Sequence, residues 1–351
     1  MVRLRINPTA WGLKALACAA LVGFSMPSAA AIKDADLSLG FANSELRDDS
    51  SYSDQVTLRA ELEGGGSLYV RFLATNVAGA DGRAELRARV SPADNDTYKV
   101  KVRRGEASKW KTVGNRLYAN LGRGRIEGRV GRLSVQMEDK AFRIQLEVVT
   151  DHAPVQPKGG RVKDDGDHYV TTVLVPRGRL TGRIEPAGGA PIEIKGVAYA
   201  DLRQGNIQPD DLADRWVHLL DIGPKSTFAA SALSRPDADG RFGHAWMMQA
   251  TDHKLPLYSP SAKVAPSRIR KDKDNGYRIP QELTLSGGGH KASLKVAKLR
   301  ERKDDLSGLG GLERFVVERF MKPWSYRHDA TYTTSVQAAS RTLNYVYQQL
   351  R

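Results

Sequence analysis

The 351-residue chain holds a single cysteine, Cys18, so disulfides, thiolate metal sites and dithiol redox chemistry all lack a second partner. It also lacks any apolar run near the roughly 20 residues that a membrane-spanning helix requires; residues 15–24 make only about half of one. Its seven histidines, His152, His168, His218, His244, His253, His290 and His328, are scattered with no pair at metal-ligand spacing. There is no Gly-x-Ser-x-Gly elbow, phosphate loop or dinucleotide fingerprint, and Gly287-Gly288-Gly289 lacks the Lys and Ser or Thr that phosphate cradling needs. No metal and no cofactor are therefore expected.

The amino-terminal residues carry the marks of an export signal. Arg3, Arg5 and Lys14 precede the apolar stretch, and Ser25-Met26-Pro27-Ser28-Ala29-Ala30-Ala31 supplies small residues for cleavage near Ala31. This reading makes residues 1–31 a signal peptide, takes Cys18 away with it, and leaves a periplasmic or secreted protein with no transmembrane segment. The mature chain would hold 51 Lys and Arg against 40 Asp and Glu, a formal charge of +11. An exported basic surface suits anionic envelope components better than nucleic acid, from which export separates it.

After the signal, period-two alternation dominates. Residues 56–62 and 67–73 alternate around Gly64-Gly65-Gly66, as a hairpin requires, and residues 84–90, 97–102, 133–137 and 142–148 continue the pattern. Short strands separated by Gly, Asn and Asp turns predict an antiparallel sandwich or barrel. Gly124-Arg125-Ile126-Glu127-Gly128-Arg129 returns as Gly178-Arg179-Leu180-Thr181-Gly182-Arg183. This repeat, with a length of about 320 mature residues, predicts two similar β domains, residues 32–176 and 177–351, joined after a loop over 151–167.

The second half predicts a short helix at Pro209-Asp210-Asp211-Leu212-Ala213-Asp214, where proline and acids suit a first turn. A strand at 216–220 follows, then a long basic loop over 258–280. Leu312, Phe315, Val316, Arg319 and Phe320 predict an amphipathic helix, and strands near 332–336 and 343–347 close the sheet. The strands are too short and too charged outward for a membrane barrel.

Tyr199 and Asp201, two apart on a strand, share a face. If that face is a barrel interior, a carboxyl sits beside a phenol in an apolar cavity, where it could protonate a double bond or hold a polar ligand head. Alternatively, Asp201 pairs with Arg203 or Arg215. Arg215-Trp216 pairs a cation with an aromatic wall, and Trp246 is a further candidate ligand contact.

Pro176-Arg177-Gly178-Arg179-Leu180-Thr181-Gly182, Gly196-Val197-Ala198-Tyr199-Ala200-Asp201 and Arg215-Trp216-Val217 together resemble the tandem lipocalin-like (calycin) family of carotenoid 1,2-hydratases, AttH-type proteins and Svf1 survival factors. The resemblance implies two consecutive lipocalin-like barrels and a pocket for an apolar ligand, with Tyr199 and Asp201 at the family's Tyr-x-Asp position. The family's upstream His-x-Trp is replaced here by Tyr169-Val170-Thr171. Two functions are expected as alternatives: a carrier of a lipid, ceramide-like or isoprenoid molecule, or an acid-catalysed hydratase or cyclase with Asp201 as proton donor.

Overall fold

The computed structural model describes residues 32–40, 49–77, 82–93, 95–104, 111–114, 116–305, 307 and 322–350. Two antiparallel sheets, each curled on itself, make up the β structure, as expected for a tandem lipocalin-like chain. The first contains β1 (Ser53–Leu62), β2 (Gly66–Thr75), β3 (Arg83–Pro92), β4 (Tyr98–Arg104), β5 (Lys111–Thr112), β6 (Leu117–Asn120), β7 (Gly124–Arg129), β8 (Arg132–Glu138), β9 (Phe142–Val149), β10 (Arg161–Asp164), β11 (Asp167–Pro186) and β12 (Ile192–Gly205). The second contains β13 (Arg215–Ile222), β14 (Thr227–Ser234), β15 (His244–Ala250), β16 (Leu257–Ser259), β17 (Lys263–Lys271), β18 (Arg278–Gly287), β19 (His290–Asp304), β20 (Trp324–Thr334) and β21 (Gln337–Gln349). A single helical turn, α1 (Pro209–Leu212), links them, with Pro209 at its first position.

The strand order is β4-β3-β2-β1-β12-β11-β9-β8-β7-β6-β5 in the first sheet, with β10 on β11, and β16-β15-β14-β13-β21-β20-β19-β18-β17 in the second. In each, the two edge strands are consecutive along the chain. Pro176 lies inside β11, and the chain passes from the first sheet to the second between Gly205 and Arg215. Both copies of the Gly-Arg hexapeptide therefore fall in one sheet, in β7 and β11, and do not mark a duplicated domain. What they share is a need for space: a Cβ on Gly128 would stand 2.7 Å from Leu117 and one on Gly182 only 2.4 Å from the carbonyl oxygen of Gln145.

Inward positions of the first sheet pack into one aliphatic cluster around Leu58, Val70, Phe72, Leu86 and Ile126, and those of the second around Phe228, Met247, Leu283, Tyr345 and Tyr347. The hollow of each curl is thus filled by its own side chains. Gly64, Gly65 and Gly66, all with positive φ, make the turn between β1 and β2 that the sequence predicted.

The expected basic loop over 258–280 is instead mostly strand, β16, β17 and the start of β18. β17 is the sheet's edge, where a proline such as Pro266 is tolerated, and Arg268 at φ 50 breaks its regularity. The amphipathic helix expected around Leu312–Phe320 lies outside the described residues.

Two smaller clusters lie between the sheets. One joins Val173 and Tyr199 to Ala229, Trp246 and Met248; the other joins Val162, Tyr169, Ile207 and Leu212 to Leu233 and Trp216. Arg177 fastens the first sheet to the second, donating to the carbonyl oxygens of Gly223 and Pro224, both at 2.7 Å, and to Asp252 Oδ1 at 2.6 Å.

Candidate ligand-binding site

Cross-strand partners in an antiparallel ladder point to the same side of the sheet. On β12, Ala198, Ala200 and Leu202 point into the first barrel's core, so Tyr199, Asp201 and Arg203 point outward, toward the second sheet. The register extends this face across β2, β1, β12 and β11. Tyr69 stands beside Arg59 and Arg59 beside Tyr199; Arg71 beside Thr57, Thr57 beside Asp201 and Asp201 beside Val173; Leu73 beside Gln55, Gln55 beside Arg203 and Arg203 beside Thr171. Strands β1 and β12 are thus covered on both sides, the outer cover being the second sheet.

Between the sheets lies a cavity of 470 Å³. Leu73, Ile207, Leu212, Trp216 and Val346 give it an apolar wall, while Arg59, Arg71, Arg203 and His218 bring cationic and imidazole groups to it. This volume falls within the usual range of small-molecule sites. The Trp216 and Tyr169 rings meet near perpendicular at a centroid distance of 5.4 Å, and Arg203 stacks over Trp216 at 5.6 Å. Trp216 Nε1 donates to Ser231 Oγ at 3.0 Å, which fixes the ring.

The electrostatics centre on Arg203. Its Nε lies 3.2 Å from Asp201 Oδ1 and its Nη2 donates to Oδ2 at 3.4 Å, while its Nη1 sits 3.2 Å from Nε2 of His218. The Oδ1 contact is ionic but off the N–H direction, so that oxygen has no hydrogen bond. Burial opposes the Arg203 charge, yet Asp201 together with the phenols of Tyr169 and Tyr199 outweighs it and holds the guanidinium above its ordinary value. Burial, and then the charges of Arg203 and Arg59, push His218 well below its usual range, so the imidazole is neutral. Burial raises the Tyr169 phenol to about 12, and burial with the Asp201 charge raises Tyr199 well above its ordinary value.

The sequence-predicted residues separate into three places. Tyr199 and Asp201 are buried behind the wall, at 4% exposure each, outside both barrel hollows. The interior position considered for Asp201 is excluded because β12 belongs to the first sheet and turns this face outward; the alternative pairing with Arg203 is the one found. Trp216 lines the cavity, but Arg215, its neighbour on β13, faces the other way. Arg215 lines a separate 950 Å³ groove with Arg241, Lys263 and Arg278, and its Nη1 reaches Gly240 O at 3.5 Å. Trp246 packs against Tyr199 and Met248 between the sheets and does not line the 470 Å³ cavity. Arg59, Arg71, Tyr169 and His218 were not singled out as site residues. The available signal was the repeated placing of large polar residues on one face of adjacent strands, Arg59 and Arg71 among them. Among the described residues, no group of three or more His, Cys, Asp or Glu converges as a metal site.

No family model and no curated protein matches the sequence. Solved structures do match. A candidate AttH from Nitrosomonas europaea aligns over 86% of this chain and 93% of its own, at 16% identity and a TM-score of 0.54. Kievitone hydratase from Nectria haematococca aligns over 90% of this chain and 94% of its own, at 12% identity and a TM-score of 0.50. CghA, in a structure with Sch210972, aligns over 86% of this chain and 89% of its own, at 10% identity and a TM-score of 0.55.

The chain has the tandem lipocalin-like fold. In this tandem lipocalin-like protein the two barrel walls that face each other, rather than the barrel hollows, carry the cavity with aromatic, cationic and aliphatic groups together.

Proposed function

We propose that the protein is an exported carrier that holds a small hydrophobic molecule, of lipid or isoprenoid type, in the 470 Å³ cavity between its two sheets. The observation that carries this reading is the amphipathic wall: Leu73, Ile207, Leu212, Trp216 and Val346 offer an apolar lining at a place where the fold leaves space. Each buried methylene of a ligand contributes about 0.8 kcal/mol, so a chain of six to eight carbons gives useful affinity without catalytic groups.

The hydratase or cyclase reading has Tyr199 and Asp201 in its favour, close together and buried. Against it, Asp201 stands behind Arg203 and does not line the cavity, and it would have to give up its ion pair to donate a proton. The carrier is the better account. Export itself rests on the residue 1–31 signal.

Native mass spectrometry of the protein purified from its own source tests the reading. The carrier predicts an adduct of a few hundred daltons that is released on denaturation, and its loss in Val346→Glu, which puts a charge into the apolar wall. Protein that is free of adduct from every preparation, and that takes up no N-phenyl-1-naphthylamine afterwards, would contradict it.

A further inference from the structure

The cations around the cavity are not balanced. Among the described residues, three arginines line it and no acidic residue does. Arg71 is paired with Glu85 at 3.2 Å and Arg203 with Asp201 at 3.2 Å. Arg59 has neither an ion pair nor a hydrogen bond among the described residues; its guanidinium rests 5.6 Å from the centroid of the Tyr69 ring. Arg59 is half-buried, and large charged groups even partly withdrawn from water are normally paired, because the lost hydration is otherwise uncompensated. A ring face offsets only a small part of that loss.

The neighbours show the same excess of positive charge. Burial first, and the closeness of Arg203 after it, lower the Arg59 guanidinium from its ordinary value despite the opposing pull of Asp201. Positive charge from Arg203 and Arg59 likewise helps burial to keep His218 neutral. An uncharged His218 cannot act as a further cation here, so the unmatched charge belongs to Arg59.

We propose that the molecule held in this cavity carries a carboxylate or an equivalent single-charge oxyanion, and that Arg59 receives it. This rests on the carrier reading of the same site and adds the ligand's head group to it. The apolar tail then lies along Trp216, Leu212 and Ile207, with the head on the Arg59 guanidinium. A guanidinium presents a planar fork of donors that suits a carboxylate's two oxygens, which a lysine would not reproduce.

The test compares dodecanoate with 1-dodecanol, which share a chain and differ in head charge, by displacement of N-phenyl-1-naphthylamine at pH 8 in 0.15 M salt. Dodecanoate is expected to bind the wild-type protein at least about 10-fold more tightly, the size of one charge-assisted contact. In Arg59→Gln the preference is expected to fall to about 1 while the dodecanol affinity stays within twofold, which also shows that the variant is folded. Arg59→Lys should keep part of the preference, and Arg241→Gln, in the basic groove, all of it. A wild-type protein with no preference, or a preference that survives Arg59→Gln, overturns the head-group proposal while dodecanol binding leaves the carrier reading standing. Binding of neither probe overturns both.

Discussion

Arg177→Met removes the side chain that ties the two sheets together, and its cost can be worked from its contacts. Arg177 is 3% exposed and donates to four acceptors: Gly223 O and Pro224 O at 2.7 Å, Asp252 Oδ1 at 2.6 Å and Thr227 Oγ1 at 3.4 Å. Asp252 is 69% exposed and returns to water on mutation, so its share is about 1 kcal/mol or less. Pro224 is also exposed, whereas Gly223 is buried and its carbonyl loses this donor, at about 1–3 kcal/mol. With the lost packing of the guanidinium, the sum is about 3 kcal/mol. Urea denaturation followed by tryptophan fluorescence and by far-ultraviolet circular dichroism measures it. Arg177→Lys should recover less than half, because one ammonium cannot span acceptors that a fork reaches together. A loss below about 1 kcal/mol, or full recovery with lysine, would refute the view that this residue locks the sheets.

Asp201→Asn leaves the half-buried Arg203 charge without its counterion and should lower stability by about 2 kcal/mol, measurable as a drop in denaturation midpoint; as a carrier the protein keeps its dodecanol affinity, whereas an enzyme using Asp201 would lose turnover outright. His328 is 4% exposed, stacks on Tyr345 at 5.3 Å, and is held by burial at about 4 against an ordinary 6.5. The unfolded chain therefore binds this proton first as pH falls, so stability should decline from pH 6.5 toward 4, and His328→Phe should make the decline between 6.5 and 4.5 shallower, the remainder coming from His218, which burial also holds low, above the range in which Glu85, pulled to about 2, begins to contribute. Gly182→Ala should cost about 2 kcal/mol, because its Cβ would meet the Gln145 carbonyl at 2.4 Å, while Gly243→Ala, with nothing within 4 Å, should cost much less in the same melts.

Most strands were legible because one face of each is buried and the other is not. β1, β2, β3, β8 and β9 show that alternation directly, and their turns carry the glycines that the geometry needs. β17 was read as loop because nearly every residue of it is exposed, which erases the period. β11 was cut by the expected domain boundary after Pro176, where its register shifts between Val173 and Gly178; the strand continues through these irregularities. The site was half legible. Period two put Tyr199 and Asp201 on one face, but it could not say which face, since Ala198, Ala200 and Leu202 on the opposite side are buried as well. Arg59 and Arg71 looked like ordinary outward residues of a solvated sheet. Only the packing of the second sheet against that face turns them into a wall, and no local pattern records a contact between strands so distant in sequence.

The most direct test of the central claim, that the ligand lies between the barrels, is a crystal structure with 12-bromododecanoate and its bromine anomalous signal. The account predicts a bromine peak in the cavity beside Trp216, Leu212 and Ile207, with the carboxylate at Arg59. A peak among Phe228, Tyr345 and Tyr347 inside the second barrel, or in the groove of Arg241 and Arg278, would contradict it.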